Sequence, residues 1–189
     1  SLSIPELRKF YDTRVFENHN LPTPDYLDTT FLGRSDELKR LDRWMKTAHP
    51  VAVISGEGGL GKTALALNFL YNYIDDINCN LDQIFWVQSK KNRVKGIKIH
   101  NIADSLLNSD AVFDELLNLG GASEDIDIYE MQELYKDLRV VLVLDNIETI
   151  LDDKVVEFIE SIQGNWKVLV TSRIKLPSLG ISINLKGMD

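Results

Sequence analysis

Cysteine is nearly absent. Cys79 stands alone in 189 residues, so no disulfide can close within the chain, and with only three histidines there is no cysteine–histidine cluster of the kind that holds zinc. A reducing, cytoplasmic setting is the expectation. Long apolar runs are missing too. None approaches the roughly 20 residues a membrane helix needs, and nothing at the N-terminus reads as a secretory signal. No membrane partner is expected. Positive charge is in short supply: 21 Lys and Arg face 29 Asp and Glu, a net charge of −8. That argues against broad non-specific nucleic-acid binding and leaves room only for a local basic patch. Internal repeats and low-complexity tracts are absent. An apolar content of 44% with 26% charged residues describes a globular chain, long enough for one good core.

What is present is a sequence of buried-strand patterns alternating with helical ones. Apolar runs at Val51–Ser55, Ile84–Val87, Val140–Asp145 and Lys167–Thr171 read as strands, with Ile181–Leu185 as a fifth. Their lack of polar alternation fits a parallel sheet covered on both faces. Helical stripes lie between them. One runs from Leu38 to Ala48 behind Ser35 as its N-cap. Others follow Lys62, span Ile99–Leu107, surround Phe113–Leu117, run from Ile128 to Leu138, and span Val155–Ile162 with Gly164 as C-cap. Strand–helix alternation predicts an α/β fold, a doubly wound parallel sheet flanked by helices. Residues 1–30 read as an N-terminal linker, with a short helix opened by Pro5 and an extended Leu21–Tyr26 segment. That segment is either a plain connector or a wall of a base pocket. Residues 31–189 form the expected domain.

The strand at Val51–Ser55 runs into Gly56-Glu57-Gly58-Gly59-Leu60-Gly61-Lys62-Thr63, the pattern G-x-x-x-x-G-K-[ST] between a strand and a helix. Glycines let main-chain amides close round phosphate oxygens, and the helix N-terminus adds positive potential. Lys62 supplies a charge for the β- and γ-phosphates, and Thr63 is the expected magnesium ligand. The third strand ends in Asp145, the second expected magnesium ligand. The fourth ends in Thr171-Ser172-Arg173, where an arginine can reach a γ-phosphate or remain a surface charge. Asn146 follows Asp145 and cannot take a proton from water. Glu148 is the nearest acid, so slow hydrolysis is expected. The guanine selector N-K-x-D is absent, as are D-x-x-G after the third strand and L-S-G-G-Q. Adenine nucleotides, ATP or ADP with Mg2+, are favoured by elimination. Lys90, Lys91, Arg93, Lys95 and Lys98 crowd one loop, which reads as a solvated surface or as a contact for a neighbouring subunit or nucleic acid.

Taken together, Phe31-Leu32-Gly33-Arg34, the loop Gly56–Thr63, Leu144-Asp145-Asn146 and Val168–Arg173 resemble the STAND class of signalling P-loop NTPases, nearest to the NB-ARC type and its bacterial relatives. The resemblance implies that Phe31, Leu32 and Arg34 line the adenine and ribose side. Gly56, Gly58, Gly59, Leu60, Gly61, Lys62, Thr63 and Ala64 would surround the phosphates, and Arg173 would sense the γ-phosphate. Lys62, Asp145, Glu148 and Arg173 are the catalytic candidates. It further implies a switch that rests with ADP and assembles into a homo-oligomer with ATP, driven by attached sensor and effector domains. Some bacterial members act in phage defence and others regulate transcription. Asn146 stands where relatives often carry a second Asp. The helical lid and winged-helix domains of that class would follow Asp189, so the fragment alone is expected to bind nucleotide weakly and not to switch. Two other readings stay open. A P-loop kinase would need an arginine-bearing lid and an acceptor pocket. A nucleic-acid-linked ATPase would work through the Lys90–Lys98 loop.

Overall fold

A computed structural model describes residues 18–23, 33–76, 78–88, 109–121, 126–149 and 151–187. The expected helices near Pro5 and over Ile99–Leu107, and the Lys90–Lys98 loop, lie outside them.

The elements run α1 (Ser35–Met45), β1 (Val51–Ser55), α2 (Lys62–Ile74), β2 (Gln83–Gln88), α3 (Ser109–Leu119), α4 (Ile128–Leu134), β3 (Val140–Asp145), a 3-10 turn (Ile147–Thr149), α5 (Asp153–Ser161), β4 (Trp166–Ser172) and β5 (Ile181–Asn184). The five strands form one sheet in the order β2-β3-β4-β1-β5, and every pairing is parallel.

Both faces of the sheet are covered, which is why its interior strands β1 and β3 are apolar up to their last residue. Successive side chains along a strand point to opposite faces. Val51 and Val53, Val140, Leu142 and Leu144, and Val168 and Val170 join Val112, Leu116, Met131, Phe158 and Ile159 of α3, α4 and α5. The alternate residues Ala52, Ile54, Val141, Val143 and Leu169 pack on the other face with Leu41 and Trp44 of α1 and Leu65, Phe69 and Leu70 of α2. The result is a doubly wound three-layer α/β sandwich, as the alternation of patterns predicts. Two tryptophans buried in these layers keep their indole N–H groups paired: Trp44 donates to the His49 carbonyl and Trp166 to the Tyr135 carbonyl, each at 3.1 Å.

Three helix ends differ from those the sequence predicts. Arg34, not Ser35, occupies the N-cap of α1, and Ser35 is its first helical residue. Gly164 does not cap α5. Ile162 holds that place, and Gly164 lies two residues on, at φ 73°, in the turn into β4. The stripe from Ile128 to Leu138 is shorter than its periodicity indicates. α4 stops at Leu134, and Leu134 and Leu138 are 70% and 39% exposed. Its start is set by a capping box: Asp127 accepts from the amides of Tyr129 and Glu130, while Glu130 accepts from the Asp127 amide. Among the described residues no helix is long and apolar enough to cross a membrane.

β2 lies at a sheet edge, and the chain upstream covers it. Asn18 accepts from the Ile84 amide at 2.9 Å, and the Asn20 side chain bonds both the amide and the carbonyl of Trp86. Leu21 is buried against α2. The described part of the expected linker is therefore packed on the sheet.

Candidate functional site

All strands of a parallel sheet end on the same side, and the turns beyond those ends form the crevice where ligands bind. Here β1, β3 and β4 bring the motif residues to one place, with β4 between the other two. The glycine-rich loop leaves β1 at Gly56, whose amide donates to the Ser172 carbonyl at 3.2 Å. Gly56 has φ 154°, and a Cβ there would lie 2.9 Å from the Leu185 carbonyl oxygen, so no larger residue fits. Gly61 is the left-handed N-cap of α2, at φ 82°. Between the Gly56 amide and the Leu65 amide, which donates to Gly61, the amides of Glu57 to Gly61 line the turn into α2. A row of main-chain donors at a helix N-terminus, beside a lysine, suits a phosphate chain.

Lys62 is buried, and its ammonium donates to the carbonyls of Gly56 at 2.7 Å and Glu57 at 2.8 Å. Burial holds its pKa below the ordinary lysine value. Arg173 pushes the same way, while Glu148 and Asp145 oppose. Ala64 follows Thr63 in the first turn of α2.

Asp145 is fully buried, with four donors on its carboxylate. Thr63 and Thr171 hydroxyls donate to Oδ1 at 2.8 and 2.5 Å, and the Gln88 and Asn146 amide groups donate to Oδ2 at 2.9 and 3.2 Å. Thr171 also accepts from the Asn146 main-chain amide at 2.9 Å. Asn146 sits at φ 60°, a left-handed position that asparagine tolerates better than most residues. The Thr63 hydroxyl and the Asp145 carboxylate thus meet from separate elements. Two hard oxygens beside a phosphate loop fit a magnesium ion.

Glu148 lies in the 3-10 turn after β3. Its Oε2 accepts from the Arg173 amide at 3.1 Å, and its Oε1 lies 3.2 Å from the Arg173 Nε. The Arg173 guanidinium carbon is 4.0 Å from where a Cβ on Gly58 would stand, so the side chain reaches the phosphate loop. Arg34 is buried beside that loop. It donates to the Leu60 carbonyl at 3.4 Å and the Lys186 carbonyl at 2.8 Å, and pairs with Glu37 at 3.2 Å. Phe31 and Leu32 lie outside the described residues.

The structure therefore gathers Gly56–Ala64, Asp145, Glu148 and Arg173, with Arg34 alongside. Gln88 and the Leu185–Lys186 segment are not marked as site residues by the sequence. Gln88 ends β2 opposite Asp145 in the register and binds its carboxylate. A polar residue closing a buried strand was the available signal. The Leu185–Lys186 segment lies beside the loop and bonds Ser55 and Arg34 through its main-chain atoms, for which side-chain identity gives no sign.

Comparison with known proteins agrees with this geometry. The chain is 28% identical over 183 residues to the transcription activator GutR of Bacillus subtilis, covering 90% of this chain and 21% of that protein. It is 28% identical over 148 residues to the probable disease resistance protein RXW24L of Arabidopsis thaliana, covering 77% of this chain and 16% of that one. The chain thus spans about a fifth or less of the length of these relatives. A solved Walker-type ATPase of Pyrococcus abyssi superposes with a TM-score of 0.52 over 83% of this chain and 54% of its own, at 10% identity, and shares the fold. The NB-ARC domain family matches residues 35–176, and the chain belongs to that family of nucleotide-binding P-loop domains.

Proposed function

We propose that this domain is the adenine-nucleotide switch of a larger signalling ATPase, resting with ADP and assembling with ATP. The observation that carries the reading is the meeting of Thr63 and Asp145 beside Lys62, with Arg173 reaching the same loop from β4. Lys62 exchanges its two carbonyl acceptors for phosphate oxygens when nucleotide enters. Thr63 and Asp145 hold the magnesium ion, which neutralises phosphate charge when bound. Arg173 is the residue placed to distinguish a triphosphate from a diphosphate, because only the former extends a γ-phosphate beyond the loop. Arg34, by tying α1 to Leu60, sets the wall on the base side, with Phe31 and Leu32 just before it in the chain.

Hydrolysis in this reading is slow. Asn146 cannot act as a base, and the Glu148 carboxylate is engaged by Arg173. Slow turnover suits a state-holding switch with attached sensor and effector domains and a homo-oligomeric active form. The output is either defence, in line with the named role of the Arabidopsis relative, or transcription. The GutR likeness over 90% of the chain favours transcription. The acidic net charge argues against a broad DNA contact by this domain.

The deciding experiment identifies the nucleotide that co-purifies with the full-length protein, then measures its molecular mass with MgADP and with MgATP. ADP in the purified protein and a larger particle with MgATP support the switch. Absence of bound nucleotide, with no affinity for either, sinks it.

A further inference from the structure

Arg173 begins a loop after β4, and its side chain is 65% exposed, whereas the side chain of its partner Glu148 is only 14% exposed. Exposed ion pairs usually contribute little, since two long side chains must be held in one geometry. This pair differs in its attachment. Glu148 is fixed in the turn that follows the Asp145 strand, and it binds Arg173 twice, through the main-chain amide and through Nε. The ion pair is made at Nε, and a guanidinium carries five N–H donors, so donors remain for another acceptor. The guanidinium carbon lies over Gly58 of the phosphate loop. The following amide, of Ile174, donates to the Ser172 hydroxyl at 3.1 Å, so the turn is held on both sides of the arginine. The ammonium of Lys62 feels both members of the pair, Glu148 favouring its charge and Arg173 opposing it.

We propose that Glu148 is a positioning residue that aims the Arg173 guanidinium at the γ-phosphate position, and so sets the preference between ATP and ADP. It acts through Arg173 rather than on the reacting water. The inference rests on the reading of Arg173 as the γ-phosphate sensor. Without the carboxylate the arginine samples many rotamers, and each contact with a phosphate oxygen must first overcome that freedom.

The test measures dissociation constants of MgADP and a magnesium complex of a slowly hydrolysed ATP analogue. The proteins are wild type, Glu148→Ala, Glu148→Gln, Arg173→Ala and the double variant Glu148→Ala/Arg173→Ala. Glu148→Ala is expected to weaken the triphosphate about tenfold and the diphosphate less than about twofold, the size of one charge-assisted hydrogen bond. Glu148→Gln retains an acceptor oxygen and is expected to recover most of the preference. The double variant should be no worse than Arg173→Ala, because both remove one interaction. If Arg173→Ala shifts the preference while Glu148→Ala leaves it alone, the positioning role is overturned and the sensor reading stands. A silent Arg173→Ala overturns both. Tighter triphosphate binding in Glu148→Ala would make the carboxylate a brake, against the proposal. Loss of hydrolysis in both Glu148 variants with unchanged affinities would make it the general base, also against it.

Discussion

The Thr63 hydroxyl donates to Oδ1 of Asp145 across 2.8 Å, although 82 residues separate them in the chain. Thr63 is the second residue of α2 and Asp145 closes β3, so the contact exists only when the sheet is assembled. Replacing Thr63 by Val keeps the shape and removes the hydroxyl. Asp145 retains Thr171, Gln88 and Asn146 as donors, so the fold should lose only about 1 kcal/mol. The magnesium-dependent part of nucleotide affinity should vanish. Titrating nucleotide with and without a chelator reads this, and an intact magnesium effect in Thr63→Val would exclude the pair as the ion's ligands.

Lys62 makes a prediction about pH. Burial lowers its pKa from 10.5, so the unfolded state binds more protons between the lowered value and 10.5, and stability gains from this residue as pH rises through that window. Lys167 is lowered by burial in the same sense, so the comparison has to be with Lys62→Met rather than with wild type alone. A bound phosphate chain reverses the preference, because it favours the ammonium. ADP binding in alkaline buffer should therefore take up a proton, and its affinity should fall as pH rises through the lowered pKa. Calorimetry in buffers of different ionisation enthalpy measures the uptake. No uptake, or equal uptake in Lys62→Met, would separate Lys62 from the phosphates.

Much of this was legible because strand burial and motif spacing write themselves into residue type. β1 and β3 are buried end to end and apolar up to their last residue; Gly56–Thr63 follows the one and Asp145 closes the other. Helix ends were less legible. The Ser35 hydroxyl invited a capping role, but the cap position fell to Arg34, whose side chain is drawn instead to the carbonyls of Leu60 and Lys186. The Asp127–Glu130 capping box sets a helix start that the apolar stripe from Ile128 does not itself mark. Gln88 needed the sheet order, since only the parallel pairing of β2 with β3 sets it beside Asp145. The Glu148–Arg173 contact likewise depends on β4 lying next to β3. No spacing rule reports which strands are neighbours.

Arg34 links three parts of the chain: α1 through Glu37, the phosphate loop through Leu60, and the segment after β5 through Lys186. Arg34→Ala leaves two carbonyls without this donor and frees a partly buried Glu37. A loss of about 1.5–3 kcal/mol is expected, the range for hydrogen bonds to a charged group. Lysine supplies a point charge rather than a fork and should recover only part. Chemical denaturation gives the stability, and nucleotide affinity should fall in parallel because Leu60 belongs to the loop. Wild-type stability in Arg34→Ala would reduce the residue to a bystander.

Asn20 protects the open edge of β2. An unpaired edge offers amides and carbonyls to any other strand, and is a standing invitation to association. Here Trp86 has its amide 2.6 Å from the Asn20 Oδ1 and its carbonyl 2.8 Å from the Asn20 Nδ2, so one side-chain amide pairs as a strand residue would. Leu21 is buried behind it, and the Tyr71 hydroxyl donates to the Pro22 carbonyl at 3.3 Å. Asn20→Ala removes both bonds at once, and water can partly replace them, so a loss of about 1–2 kcal/mol is expected. Asn20→Asp should be worse. It keeps the acceptor for the Trp86 amide but sets a carboxylate oxygen against the Trp86 carbonyl. Both variants should also scatter more light at high concentration, as the freed edge meets a second copy. Urea midpoints ordered wild type, Ala, Asp would support the strap as part of the domain. Equal midpoints for all three would mean that Leu21 and the backbone bonds of Asn18 hold the segment without Asn20.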